Sequence, residues 1–147
     1  MKKNIISLSM LLTITIATVA ATPATAPDPR VEKVFKKEFA GAEYVKWSED
    51  AGYISVSFVL NSHRIQAWFS KKGDLLGSIR GISYNQLPML VISSLQARFT
   101  EPVVIEITEV TNSEGTNYKV LLENKDKKYK VSIKPDGSIK ETQKLKK

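Results

Sequence analysis

Two ribbons of strict alternation dominate this sequence. Over Tyr53–Leu60, Ile54, Val56, Phe58 and Leu60 fall on one side of an extended chain, and Tyr53, Ser55, Ser57 and Val59 on the other. Residues 64–70 repeat the pattern, with Ile65, Ala67 and Phe69 inward and Arg64, Gln66, Trp68 and Ser70 outward. Asn61-Ser62-His63 between them reads as a turn. A ribbon with one apolar side must bury that side and can leave the other wet. The expectation is an antiparallel sheet covered by helices on one face only.

The helices are visible on either side of the first ribbons. Asp28-Pro29 opens one, with Asp28 as N-cap and Pro29 at the first helical position, where its missing N–H costs nothing. Val31, Val34, Phe35 and Phe39 follow at helical spacing, Lys33, Lys36 and Lys37 lie off that stripe, and Gly41 ends the helix. A short strand over residues 44–48 carries Val45 and Trp47. After the second ribbon, Lys71-Lys72-Gly73-Asp74 turns the chain into a final short strand over residues 75–79.

The pattern then starts again. A second helix is predicted over residues 85–99, with Pro88 in its first turn and Leu87, Val91, Leu95 and Phe99 as its stripe. Strands are predicted over residues 103–110 and 118–123, the latter with Tyr118, Val120 and Leu122 inward. Asn124-Lys125-Asp126 turns, Tyr129, Val131 and Ile133 face inward, and Lys134-Pro135-Asp136-Gly137 leads into a last short strand at Ile139. Equivalent positions recur about 60 to 65 residues apart, with a shift in the second strand that the sequence does not fix. The predicted fold class is α+β: tandem α-β-β-β repeats forming one antiparallel sheet with two helices packed on one face. The domain spans residues 28–143, its repeats 28–80 and 85–143, and residues 144–147 form a basic tail.

The first residues bear on the compartment. Lys2 and Lys3 precede an uncharged stretch from Ile5 to Val19, followed by small-x-small sites at residues 19–21 and 24–26. That is the layout of a secretory signal peptide over residues 1–21, cleaved after 21 or 26, with residues 22–27 as a flexible lead-in. The apolar core is shorter than the ~20 residues a spanning helix needs, so no membrane span is expected after cleavage. A periplasmic or secreted product follows. With no cysteine in the chain, it is neither a lipoprotein nor disulfide-stapled, and its stability must come from a core that a chain of ~120 residues can build by burying roughly two-thirds of its surface.

The net charge of +7 is unevenly spread. Residues 125–147 hold nine basic and three acidic residues, whereas residues 27–124 are close to neutral. This is a solvated hairpin and tail rather than a nucleic-acid footprint. An acidic envelope surface is the sharper reading of it.

Several local motifs together carry a family resemblance: Phe39-Ala40-Gly41-Ala42, Val45-Lys46-Trp47, the alternating strand from Tyr53 to Phe58, Ala67-Trp68-Phe69 with Gly73 and Leu75, and Leu87-Pro88 before a helix. In this order the chain resembles the PepSY-like, β-lactamase-inhibitor-like periplasmic domains of bacteria over nearly its whole mature length. The resemblance implies a tandem α/β repeat with a gently curved sheet whose bare face grips a partner. The chain differs from the commoner family form at Ala40, where proline is usual, and lacks the paired cysteines of true β-lactamase inhibitors.

Residue sets for catalysis are missing. His63 is the one histidine, and an exposed turn gives it neither burial nor an orienting partner. Glu49 and Asp50 precede a turn glycine, and Glu106 and Glu109 fall on opposite strand faces. Gly73, Gly77 and Gly81 are spaced singly, as in turns and bends rather than a phosphate loop. No catalytic residue, cofactor or metal site is therefore expected. The outward rows are the feature with functional promise: Tyr53, Ser55 and Ser57 beside Arg64, Gln66 and Trp68, and, in the second repeat, Lys119, Leu121, Lys128, Lys130 and Ser132. Aromatics and Arg on a wet face are the residue types that anchor interfaces. A face half aromatic and half basic is expected to engage a protein or peptide. The alternative is binding of a small ligand or anionic polymer at the envelope through the Lys-rich C-terminal hairpin.

Overall fold

Asp28 starts the first helix as its sequence position requires. The Asp28 carboxylate accepts from the Arg30 backbone N–H at 2.9 Å and from the Arg30 guanidinium at 3.0 and 2.9 Å. These bonds hold its pKa down to about 2. The computed structural model describes residues 27–145. The stretch read as a signal peptide and its cleavage sites lies outside these residues, as do residues 146–147 of the basic tail.

Helix α1 (Pro29–Glu38) precedes strands β1 (Glu43–Glu49), β2 (Tyr53–Leu60), β3 (His63–Ser70) and β4 (Leu75–Gly81). A 3₁₀ turn (Tyr84–Gln86) leads into α2 (Met89–Arg98), followed by β5 (Val103–Asn112), β6 (Gly115–Asn124), β7 (Lys127–Ile133) and β8 (Ile139–Lys144). All eight strands form one antiparallel sheet in chain order. The tandem α-β-β-β reading of the sequence describes this architecture.

The strand register shows that both helices cover the same face. Phe58 pairs with Ile65 and Ile65 with Arg80, Arg80 with Glu109, Glu109 with Tyr118, and Tyr118 with Ile133. Side chains directly opposite one another share a face, so the buried rows of the two halves point the same way. Under α1 lie Val56, Phe58, Ala67 and Phe69, packed with Val31 and Phe35. Under α2 lie Val120, Leu122, Val131 and Ile133, packed with Val91 and Leu95. These are two separate clusters in one layer. The polar pair between them, Arg80 and Glu109, joins at 2.8 and 3.2 Å in a bidentate fork.

The register also settles the shift between repeats. Val31, Phe35, Phe39 and Trp47 correspond to Val91, Leu95, Phe99 and Ile107, sixty positions on. From the second strand onward the offset is sixty-four: Ile54, Val56, Phe58, Ala67, Phe69 and Gly73 match Tyr118, Val120, Leu122, Val131, Ile133 and Gly137. The extra residues lie in the longer β5–β6 hairpin.

Several predicted boundaries change. The second helix starts at Met89 with Pro88 as its N-cap, and Leu87 is extended at φ −69°, ψ 144°. A proline disfavours helical backbone in the residue before it, so the helical stripe could not run back to Asn85. The turn after β2 is only Asn61-Ser62, both at positive φ, which makes a two-residue hairpin and places His63 in β3. There its Nδ1 donates to the Asn61 carbonyl at 2.8 Å, and Gln86 Nε2 approaches its Nε2 at 3.3 Å. Strands β4 and β5 reach Gly81 and Asn112, beyond the predicted 79 and 110, because their ends pair with each other and join the repeats.

Candidate functional site

The face opposite the helices is continuous across the sheet. Ser55 pairs with Trp68 and Ser57 with Gln66. Trp68 pairs with Gly77 and Gln66 with Ile79, which lead to Asn112 and Val110 on β5. Val110 pairs with Asn117 and Thr108 with Lys119, and beyond them Lys119 pairs with Ser132, Leu121 with Lys130 and Glu123 with Lys128. Every residue proposed from sequence for a docking face, Tyr53, Ser55, Ser57, Arg64, Gln66, Trp68, Lys119, Lys128 and Lys130, therefore sits on this one side. None lies beneath a helix.

Their accessibility differs from the simple expectation. Tyr53 is 39 % exposed, and Arg64 and the three lysines are exposed. Trp68, Gln66 and Ser57 are half-buried. Ser55 is a correction: it is only 8 % exposed, because it sits between Ser48 and the bulky Trp68 across the sheet. Its hydroxyl points to the Ser48 carbonyl at 3.5 Å, so it supports Trp68 rather than meeting solvent. The Asp50 carboxylate raises the pKa of the Tyr53 phenol, through hydrogen bonding and its charge.

The aromatic half of the face contains a slot of about 270 Å³ that sequence reading missed. Trp68, Leu76, Ile79 and Val110 wall it, and Gly77 lies opposite the indole. Gly77 is dictated by close packing: a Cβ there would stand 2.8 Å from the Thr111 carbonyl oxygen. The register slips between Trp68 and Phe69. That irregularity turns Leu76 to the surface, 47 % exposed. A glycine within an alternating strand was the available signal of such a bulge or close approach.

The second half carries a trough of about 370 Å³ between β5 and β8. Leu121 lies within it, Thr108 and Ser132 supply hydroxyls, and Lys119 and Lys130 stand over it. Here the expected basic half needs correcting. Glu106 and Glu141 line the same trough, and Glu123 lies opposite Lys128. The three lysines are thus flanked by three acids: Glu123 continues the outward row of Lys119 and Leu121 on β6, whereas Glu106 and Glu141 come from β5 and β8, strands that this row alone does not show.

Two acids elsewhere hold neighbouring strands or turns together. Glu109, on the helix face, is held by Arg80, and its hydrogen bonds to the guanidinium keep Arg80 charged. Glu49 receives Lys71 at 2.9 Å. Among the described residues, no group of three or more His, Asp or Glu side chains is placed to hold a metal ion. No helix of these residues is long and apolar enough to cross a membrane.

No family model matches this chain, and no curated protein matches it. Solved structures do. A BLIP-like protein from Bacteroides fragilis superposes with a TM-score of 0.71 at 19 % identity, covering 82 % of this chain and 87 % of that one. A DUF2874 family protein from Bacteroides ovatus gives 0.70 at 24 %, covering 81 % and 88 %. A candidate periplasmic protein from Bacteroides eggerthii gives 0.69 at 22 %, covering 81 % and 89 %. The chain thus has the BLIP-like fold, shared by these Bacteroides proteins over nearly their full length.

Proposed function

We propose that this chain is an exported, non-catalytic binding module that engages a protein or peptide partner through the bare face of its sheet, in the manner of an inhibitor or tether. One observation carries the reading. Both helices lie on one side, which leaves a continuous opposite face with Tyr53, Trp68 and Arg64 beside an apolar slot. Interfaces draw most of their energy from a few aromatic and Arg anchors surrounded by near-neutral contacts. The BLIP-like and periplasmic descriptions of its structural neighbours support the same class, as does the signal-like start of the sequence.

The Lys-rich hairpin favours an anionic ligand less well. On the bare face its lysines are flanked by Glu106, Glu123 and Glu141, so the local field is mixed. A pull-down from the source organism's envelope fraction, with the mature domain and its Trp68→Ala form as baits, tests the proposal. A partner captured by the first should bind the second at least tenfold more weakly, equivalent to ~1.4 kcal/mol. Equal affinity removes Trp68 from the interface. Binding that collapses in high salt points instead to the anionic ligand.

A further inference from the structure

The slot and the trough lie on the same face but differ in kind, and together they specify what a partner must carry. Across the trough, the charges run Glu106 on β5, Lys119 on β6, Lys130 on β7 and Glu141 on β8. The order is negative, positive, positive, negative. None of the four belongs to an ion pair among the described residues. Lys119 and Lys130 occupy diagonal positions on paired strands, a separation of roughly 7–8 Å, and no acid stands between them. Two unneutralised ammonium groups over a partly apolar floor favour one anion placed between them. The glutamates at either end disfavour a second.

The slot offers the complementary chemistry, with Trp68, Leu76, Ile79 and Val110 and no charged residue in its lining. Asn117 lies between the two hollows, with Val110 on the rim of the slot and Thr108 on the rim of the trough. These short side chains let a main chain pass close to the sheet. With strands ~4.8 Å apart and residues ~3.4 Å apart along each, the slot over β4 and the trough between β6 and β7 are roughly 18 Å apart. That is the reach of about five to six residues of extended chain, and of these only a spacing of six keeps both side chains on the sheet side.

We infer that the partner presents an extended segment with one apolar side chain for the slot and one carboxylate for Lys119 and Lys130, six residues apart so that both point to the same side, and with no other acid beside it. The inference rests on the bare-face reading above. It is tested with synthetic blocked peptides carrying one Phe and one Glu at spacings from two to eight in a Ser/Gln background, titrated against the purified protein. Affinity should peak at a spacing of six, with five markedly weaker because its two side chains point to opposite sides, and fall at least tenfold when the peptide's Glu is replaced by Gln. The double variant Lys119→Glu, Lys130→Glu, with an unchanged melting temperature, should prefer a peptide with Lys in place of Glu. Affinity indifferent to spacing or to the acid, or no binding up to millimolar peptide, overturns the inference. A captured protein partner that needs Trp68 but ignores the charge reversal leaves the bare-face reading standing and removes this one. Indifference to Trp68→Ala removes the slot from the interface and this inference with it.

Discussion

The two repeats share one backbone plan but are filled differently. In the first, Phe35 meets Trp47 and Phe58 edge-on, each with ring centres 5.0 Å away, and Phe39 lies 4.8 Å from Phe58. In the second, the matching core positions are Leu95, Ile107 and Leu122, and the aromatic pair is Phe99 with Tyr129 at 5.3 Å. The outer faces divide as well: the first repeat presents mainly neutral side chains around Trp68, and the second presents lysines flanked by glutamates. One architecture thus tolerates two core chemistries, because the helix–sheet spacing is set by total side-chain volume more than by shape. It also supports two surface chemistries on one continuous sheet, and that is what makes the bare face selective.

Core truncations break the comparison most severely. Phe58→Ala should cost about 4 kcal/mol in chemical denaturation and its counterpart Leu122→Ala about 3. The aromatic site loses the larger volume as well as its edge contacts to Phe35 and Phe39. A smaller loss at Phe58 than at Leu122 would show that the aromatic layer is loosely packed. The paired glycines come next. Both need positive φ, but a Cβ on Gly137 would stand 2.6 Å from Ser94 Oγ and 2.7 Å from the Leu90 carbonyl, whereas one on Gly73 would find Arg30 at 3.4 Å. Gly137→Ala should therefore destabilise by about 3 kcal/mol and Gly73→Ala by about 1.

Smaller effects sharpen the account of the seam and of the first helix. The Arg80–Glu109 fork joins β4 to β5 with side chains 41 % and 18 % exposed, so solvent screening limits its coupling to about 1 kcal/mol in a double-mutant cycle. Its removal should also lower the cooperativity between the halves. A single sharp transition in Arg80→Ala would show that backbone pairing alone welds the seam. Asp28 gives the smallest effect and a pH signature. Its pKa is depressed in the folded chain, so its contribution is present above the ordinary carboxylate pKa near 4 and is lost as pH falls toward about 2. The stability difference between the wild type and Asp28→Asn should close over that window. A difference that persists unchanged down to pH 2 would assign the effect to helix propensity instead.

Much of this was legible in the sequence because alternation and helical spacing are local signals. The rows of Tyr53–Leu60 and residues 64–70 predicted a shared outward face, although the turn was read one residue too long, and it is the two-residue hairpin at Asn61-Ser62 that sets Ser55 opposite Trp68. What stayed hidden is non-local. The seam escaped because the inward positions Ser78, Arg80, Glu109 and Thr111 are polar, lying between two helices rather than under one, so the apolar rhythm fades where β4 and β5 meet. Glu106 and Glu141 reach Lys119 and Lys130 only through strand pairing, which no outward row on a single strand reveals. Ser55 is buried by a tryptophan thirteen positions away.

The two tryptophans provide the most direct test, because the sheet separates them. Trp47 packs on the helix side against Phe35 and Phe69, and Trp68 lies on the bare side. Single-tryptophan proteins made by Trp47→Phe and Trp68→Phe report each face by fluorescence as a captured partner is added. Emission from Trp68 should shift and become shielded from acrylamide, while emission from Trp47 stays unchanged. A response confined to Trp47, or none from Trp68 at saturating partner, would contradict the assignment of the uncovered side as the working surface.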